Sequence, residues 1–308
     1  MAKKIPAKVQ EIRESKAHRD PGSKSISFSQ LSLYVTCPNR WYRAYVKNEA
    51  PFSPSMHTVF GTSVHETIQH WLDLLYNNSV KASEAFDMNG FLMERLRTNY
   101  EYDRKSLGKD FTTPKELEEF YQDGVAILEY VRKHRKDFFS TKNVHLVGCE
   151  IPILYKLKDG IYFKGFLDIV TFDEDLDRWK IWDIKTSTQG WSVDTKKDFI
   201  KTSQLLLYRE FLAKQFGIDP QKIDVEYFIV KRKVTEDAPY PAMRKRVQEF
   251  IPGTGPKLTK KASALVESFV SGAVADGGGY QDREYETNPS VNNCKWCLFK
   301  SSCKDAVK

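Results

Sequence analysis

The spacing of apolar residues changes near Val144, from a helical period to the period of β-strands. Before this point apolar residues recur at the three-to-four-residue spacing of amphipathic helices. We therefore predict helices within residues 27–46, 60–76, 83–110 and 117–135.

After Val144 the chain is rich in β-branched and aromatic residues, and two tight turns divide it. This pattern predicts three antiparallel strands within residues 144–187. A helix over 199–216, a strand over 224–233 and a final helix over 258–275 follow. Together these elements predict an α/β fold with a mixed β-sheet core, flanking helices and a helical elaboration.

The N-terminal segment differs from the rest of the chain in its charge and in its low content of large apolar residues. Residues 1–26 contain seven basic and three acidic side chains and few large apolar groups, which predicts a flexible basic arm. We predict one domain over 27–308. Its mainly helical part covers 27–143, its α/β core 144–233, and its C-terminal helix and cysteine-rich segment 234–308.

The composition is that of a folded protein, with 41% apolar and 29% charged residues in a chain of 308. A net charge of +7 is compatible with nucleic-acid binding but decides little alone. No apolar run approaches the roughly 20 residues of a membrane helix, and the charged N-terminus has no apolar signal segment. We therefore expect a cytoplasmic protein whose five cysteines are reduced.

Two carboxylates and a lysine lie on neighbouring predicted strands. Asp168 lies in GFLDIV, and Asp183 and Lys185 lie in WDIKTS. Residues two apart on a strand face the same side, so Asp183 and Lys185 share a face that Asp168 can approach. Carboxylates bind hard divalent cations that activate water for phosphodiester hydrolysis, and a lysine can neutralise the developing charge. A structural Asp–Lys pair on a half-exposed strand explains the triplet as well.

Other polar residues are candidates for the same site. Gln204 and Tyr208 lie one helical turn apart and share a face of their predicted helix. His65 lies at the edge of an apolar stripe, where a packed core histidine is the alternative. Glu150 on the first strand is a further candidate, although a solvated glutamate at a strand end is an equally good explanation.

Four short motifs occur in a defined order: G-x-x-x-H, G-x-x-D, D-x-K and Q-x-x-x-Y, which begin at Gly61, Gly165, Asp183 and Gln204. The ordered set extends over most of the chain and resembles the RecB-like branch of the PD-(D/E)XK nuclease superfamily. Leu167 stands where the name of the superfamily has proline. The resemblance implies a restriction-endonuclease-like fold.

The resemblance also implies roles for individual residues. Lys185 would be the catalytic lysine, and Gln204 and Tyr208 would orient the site or the DNA strand. The implied ligands of Mg²⁺ or Mn²⁺ are His65, Asp168, Asp183 and the main-chain carbonyl of Ile184.

Four cysteines form a second candidate site. Cys294, Cys297 and Cys303 cluster near the C-terminus, and Cys37 lies in a CP-x-R segment far upstream. Four thiolates can hold zinc or an iron–sulfur cluster, and a C-terminal trio that binds zinc with another ligand is a further alternative. The layout resembles that of iron–sulfur nucleases of the AddB type and of CRISPR-associated RecB-like exonucleases. This implies a [4Fe–4S] cluster that staples the C-terminal segment to the core.

Two basic clusters are weak candidates for DNA contacts, although a solvated face explains each as well. They consist of Lys231, Arg232 and Lys233, and of Arg244, Lys245 and Arg246. The chain has no P-loop motif, so no ATP-driven motor is expected in it.

These observations predict a metal-dependent DNA exonuclease for recombination, repair or end processing, in a bacterial or phage context. Its substrate would be DNA with a free end or a single-stranded portion, and a helicase or recombination protein would be a natural partner. One alternative is a non-catalytic nucleic-acid-binding subunit of a helicase–nuclease assembly. Another is a structural protein stapled by zinc.

Overall fold

The computed structural model describes residues 5–235 and 237–307, and within them six strands form one mixed sheet. The strands are β1 (Lys24–Ser27), β2 (Val144–Lys158), β3 (Ile161–Asp173), β4 (Arg178–Ser187), β5 (Ile223–Lys231) and β6 (Val247–Phe250). The predicted antiparallel unit is confirmed as β2, β3 and β4. β5 lies parallel to β4, and β6 is antiparallel to β5.

The edge of β3 that faces β1 and β4 is divided between these two strands. β1 runs parallel to the first part of β3, and their register ends at the Ser27–Lys164 pair. β4 runs antiparallel to the second part, and its register begins at the Trp182–Ile169 pair. Because β2 pairs with β3 along both parts, β1 and β4 share the opposite edge. This edge is therefore open over residues 165–168.

Helices cover both faces of the sheet. They are α1 (Ala7–Glu14), α2 (Phe28–Thr36), α3 (Pro38–Trp41), α4 (Met56–Asp73), α5 (Val80–Ala85), α6 (Met88–Leu107), α7 (Pro114–Lys133), α8 (Arg135–Phe138), α9 (Val193–Lys197), α10 (Phe199–Phe216), α11 (Pro241–Arg244), α12 (Pro256–Ala273) and α13 (Val291–Lys295). Short π-helical turns follow α3 and α4 at Tyr42–Val46 and Leu74–Asn78, and 3₁₀ turns lie at Pro220–Lys222 and Lys300–Ser302.

Two apolar cores lie between the sheet and the helical layers, one on each face of the sheet. Tyr227 and Ile229 of β5 pack in the core that includes α10 and α12, whereas Phe228 and Val230 pack with α4, α6 and α7. This alternation is expected for a strand that is buried on both faces. The sheet is thus the middle layer between two helical layers.

The predicted helix over 27–46 is divided at Cys37. This residue is extended, with φ −159° and ψ 103°, and Pro38 follows it. Proline has no backbone N–H and disfavours the helical conformation of the residue before it. The helix therefore ends at Thr36 and a new one begins at Pro38.

Part of the predicted flexible arm is a packed element, which corrects that prediction. Val9 and Ile12 of α1 are almost fully buried in the core on the α10 face. The Arg13 guanidinium donates to the carbonyl of Leu146 on β2. The charged surface of α1 hides two buried positions spaced one turn apart. Residues 24–26 belong to β1, and residues 1–4 of the predicted arm lie outside the described residues.

None of the helices in the described part of the chain combines the length and the apolar character that crossing a membrane requires.

Candidate active site

The open edge of β3 brings the predicted carboxylates and lysine together. Asp168 on β3 accepts a hydrogen bond from the backbone N–H of Ile184 on β4, with a distance of 2.8 Å between Oδ2 and N. On the same strand, Lys185 Nζ lies 2.7 Å from Asp183 Oδ2. Asp183 is only 1% exposed. The two carboxylates and the ammonium group therefore form one partly buried cluster.

Helix α4 adds His65 to this cluster. Its Nδ1 lies 3.7 Å from Asp168 Oδ2, and the backbone of Ile184 also interacts electrostatically with the ring. The glycine of the G-x-x-x-H motif explains the approach of the helix, because a Cβ at Gly61 would lie 3.2 Å from Thr186 Oγ1 on β4. An added Cβ at this position would require the Thr186 side chain or the helix to shift by a few tenths of an ångström.

Glu150 also belongs to the cluster. Its backbone has φ +54°, a left-handed conformation that is unusual for glutamate. Gln69 Nε2 on α4 donates to Glu150 Oε1 at 2.7 Å and to the Asp168 carbonyl at 3.0 Å. Gln69 was not predicted from the sequence. The signal was its position one helical turn after His65, on the same face of α4.

Gln204 and Tyr208 on α10 border the site from the face of the sheet opposite to α4. Gln204 Nε2 donates to the Tyr208 hydroxyl at 3.2 Å. Tyr208 is buried and interacts electrostatically with Asp183 and Lys185. The glycine of the G-x-x-D motif gives this ring its space, because a Cβ at Gly165 would lie 2.7 Å from Tyr208 Cε1.

Burial sets the protonation of these groups. It raises the pKa of Asp168 and of Asp183 to about 6 in each case, although the Lys185 charge opposes the shift. Burial and then the Lys185 charge lower the pKa of His65 to about 4, so the imidazole is neutral near pH 7. Burial alone would lower the pKa of Lys185, but Asp183 and Asp168 outweigh it and the pKa is raised.

The donor chemistry of the cluster fits a divalent cation. Asp183 Oδ2 is inaccessible to solvent, and the Lys185 ammonium 2.7 Å away is its charge partner. A buried carboxylate oxygen of this kind is stabilised by additional positive charge. A neutral imidazole and two carboxylates are suitable ligands, although within residues 5–235 and 237–307 no three His, Cys, Asp or Glu side chains are already arranged to hold a metal ion.

The chain segments that carry the four predicted cluster cysteines are neighbours. The carbonyl of Thr36, next to Cys37, accepts hydrogen bonds from the side chains of Asn288 and Asn293 at 3.0 and 3.3 Å. Asn293 directly precedes Cys294. The thiols themselves do not form a ligand group within the described residues. The predicted iron–sulfur cluster thus stays a prediction.

The first basic cluster makes contacts within the protein, and its contact with DNA stays a prediction. Lys231 and Arg232 are buried, and Arg232 donates to Asp123 on α7 at 2.9 Å while its guanidinium lies 3.3 Å from the Phe120 ring centre. Lys233 is exposed but pairs with the other oxygen of Asp123 at 2.9 Å. Arg232 and Lys233 thus connect the end of β5 to α7, whereas Lys231 Nζ donates to the carbonyl of Ala242 on α11 at 3.1 Å.

The second basic cluster is more accessible. Arg244 and Arg246 each donate to a backbone carbonyl at 2.7 Å, and Lys245 is exposed. Contact of these side chains with DNA stays a prediction.

Comparison with known proteins agrees with this geometry. A family model described as the PD-(D/E)XK nuclease superfamily matches residues 25–304. A crystal structure of a protein named "Putative exonuclease", from Eubacterium rectale, has a TM-score of 0.51 and 11% identity, and the match covers 98% of this chain and 92% of that chain. At this identity the likeness shows the fold alone. A search of curated proteins gives no match.

Proposed function

We propose that this chain, which belongs to the PD-(D/E)XK nuclease superfamily, is a metal-dependent exonuclease that hydrolyses the phosphodiester bonds of DNA. The observation that carries the proposal is the buried Asp183 oxygen beside Lys185, with Asp168 and His65 next to it. The position of this cluster beside the open edge of β3 supports the proposal, because an unpaired edge would give a phosphate access.

In the proposed mechanism, some residues of the cluster would bind the metal ion and Lys185 would donate hydrogen bonds. His65, Asp168, Asp183 and the carbonyl of Ile184 would hold Mg²⁺ or Mn²⁺, which polarises the scissile phosphate and lowers the pKa of bound water. Lys185, protonated because of its carboxylate neighbours, donates hydrogen bonds to the attacking water or to a phosphate oxygen.

Positioning would fall to the side chains around this cluster. Gln204 and Tyr208 fix the side of the site that faces α10, through the hydrogen bond between them. Gln69 holds Glu150 beside Asp168, and we propose that Glu150 is a further candidate for contact with the metal or its water.

Exonuclease action, rather than internal cleavage, is supported by the name of the structurally similar protein. The fold alone does not distinguish the two modes, since one fold supports many activities. Recombination, repair or end processing of DNA, together with a helicase or recombination protein, is the setting that we propose.

The test is digestion of end-labelled linear DNA, single- and double-stranded, with Mg²⁺, Mn²⁺ or EDTA. We expect metal-dependent loss of nucleotides from the end and no cleavage of circular DNA. Cleavage of the circle would contradict exonuclease action. Metal-dependent DNA binding with no cleavage of any substrate would favour a non-catalytic subunit.

We further propose that Cys37, Cys294, Cys297 and Cys303 hold a [4Fe–4S] cluster as a structural staple. The support is the adjacency of their chain segments, which the Asn288 and Asn293 hydrogen bonds to Thr36 maintain. Anaerobically purified protein should be brown and contain iron and acid-labile sulfide. A colourless protein with bound zinc would contradict this proposal.

A further inference from the structure

A cavity of about 430 Å³ lies beside the catalytic cluster, where β3 is open between β1 and β4. Gln204 and Tyr208 line it together with Ser25, Ser27, Lys164 and Phe166. Its size falls within the range of about 300–1,000 Å³ that is typical of small-molecule and cofactor sites. The cavity is contiguous with the proposed active site, because Tyr208 belongs to both.

The polar lining of this cavity suits an anion. Lys164 is exposed, and among the described residues that line the cavity none carries a carboxylate. The Ser27 hydroxyl accepts a hydrogen bond from the Gln30 N–H at 3.3 Å, which leaves its own proton free to donate. Arg19 lies at the edge, with its guanidinium 3.4 Å from the Ser25 hydroxyl. Positive charge and hydroxyl donors of this kind bind phosphate.

The aromatic lining points to a nucleotide rather than to phosphate alone. Phe166 is 44% exposed, although it lies on a central strand, and Lys164 Nζ lies 5.3 Å from its ring centre. Lys164, Phe166 and Asp168 alternate with the buried Gly165 and Leu167. They therefore face the same side of β3, roughly 7 Å apart from one to the next.

We propose that this cavity is a subsite for one nucleotide of single-stranded DNA. It lies next to the proposed metal site at Asp168, where the scissile phosphate would bind. The base stacks on Phe166, and its phosphate binds Lys164 and the serine hydroxyls. The strand is single at this position because an internal base of a duplex already has neighbours on both faces and cannot lie on a protein ring. This proposal rests on the proposed nuclease function, since it assigns the chain that passes through that site.

The test measures the binding of labelled single-stranded oligonucleotides by fluorescence anisotropy, with Ca²⁺ in place of Mg²⁺. Each oligonucleotide carries one abasic nucleotide, moved stepwise from the end. We expect the wild-type protein to lose about ten-fold in affinity when the abasic nucleotide falls at one position. Phe166→Ala should bind the intact strand about ten-fold more weakly and show no dependence on the abasic position.

Lys164 is tested by the salt dependence of the same binding. Lys164→Ala should lower the slope of log affinity against log salt by about one, because one phosphate contact is lost. Tyr102→Ala and Lys81→Ala are matched controls, since both side chains are exposed on helices outside the cavity. Neither control should change the affinity at the abasic position or the salt slope.

The outcomes separate this proposal from the proposed function. A Phe166→Ala protein with wild-type affinity, or with an unchanged response to the abasic position, would overturn the subsite. Equal dependence on Phe166 for duplex DNA would overturn the single-strand assignment. A wild-type protein that shows the positional effect but does not cleave with any metal would support the subsite and contradict the nuclease.

Discussion

The Gly165→Ala variant tests whether the G-x-x-D glycine exists to accommodate Tyr208. The added Cβ would lie 2.7 Å from Tyr208 Cε1 and 3.2 Å from both Cζ and Oη. Contacting carbon atoms prefer a separation of about 3.5–4.0 Å. The Tyr208 ring must therefore move by about 1 Å, or α10 must move away from β3.

The ring has little room for this movement. Tyr208 is buried in the core on the α10 face, and its hydroxyl accepts the Gln204 hydrogen bond. Overpacking of this type costs about 1–3 kcal/mol of unfolding free energy. A displacement of about 1 Å beside the reacting groups can lower turnover roughly 100-fold. We expect both effects in Gly165→Ala.

The assay combines urea unfolding with the cleavage rate of end-labelled single-stranded DNA. It compares the wild type with Gly165→Ala, Tyr208→Ala and the double variant. Because the nearest atoms to the new Cβ all belong to Tyr208, the alanine should cost less than about 0.5 kcal/mol once the ring is gone. Gly279→Ala is the control, since its Cβ would meet open space. An equal cost of Gly165→Ala with and without the ring would show that Tyr208 is not the group that requires glycine at this position.

Two further predictions concern the rest of the sheet. Arg232→Ala should lower the unfolding free energy by about 3 kcal/mol, because buried Asp123 loses its buried cationic partner and keeps the exposed Lys233. Exposed Lys245→Ala should change it little. A stable Arg232→Ala protein that has lost DNA affinity would contradict a structural role. Burial and the neighbouring Glu226 raise the pKa of Glu249 to about 7, so its contribution to stability is present below about pH 4.5 and is lost as the pH rises through 7. Glu249→Gln should therefore raise the urea midpoint at pH 8 but not at pH 4.5, and equal midpoint changes at both pH values would rule out this titration.

The central part of the fold could be predicted because its signals are local. The run of β-branched residues and tight turns defines β2 to β4, and the predicted bounds of the helix over 199–216 match α10. Neighbouring strands then place Asp168 next to the strand of Asp183. The order of the four motifs along the chain identified His65, Gln204 and Tyr208 as further candidates for the same site.

Other features depend on tertiary contacts that the local pattern does not contain. β1 and β6 have four residues each, and such short strands form only because a longer strand offers them a register. The burial of Arg232 depends on Asp123, more than a hundred residues away in sequence. The left-handed backbone of Glu150 and its Gln69 partner likewise required the structure.

We propose above that Asp183 and Lys185 form a metal-dependent nuclease site. The most direct measurement compares single-turnover cleavage of linear DNA in Mg²⁺ by the wild type, Asp183→Asn and Lys185→Ala. Asp224→Asn serves as the control, because Asp224 is exposed on the same sheet and pairs with Arg178 away from the site. Both site variants should lose cleavage but still bind DNA, while the control should cleave normally. Wild-type cleavage by either site variant would contradict this proposal.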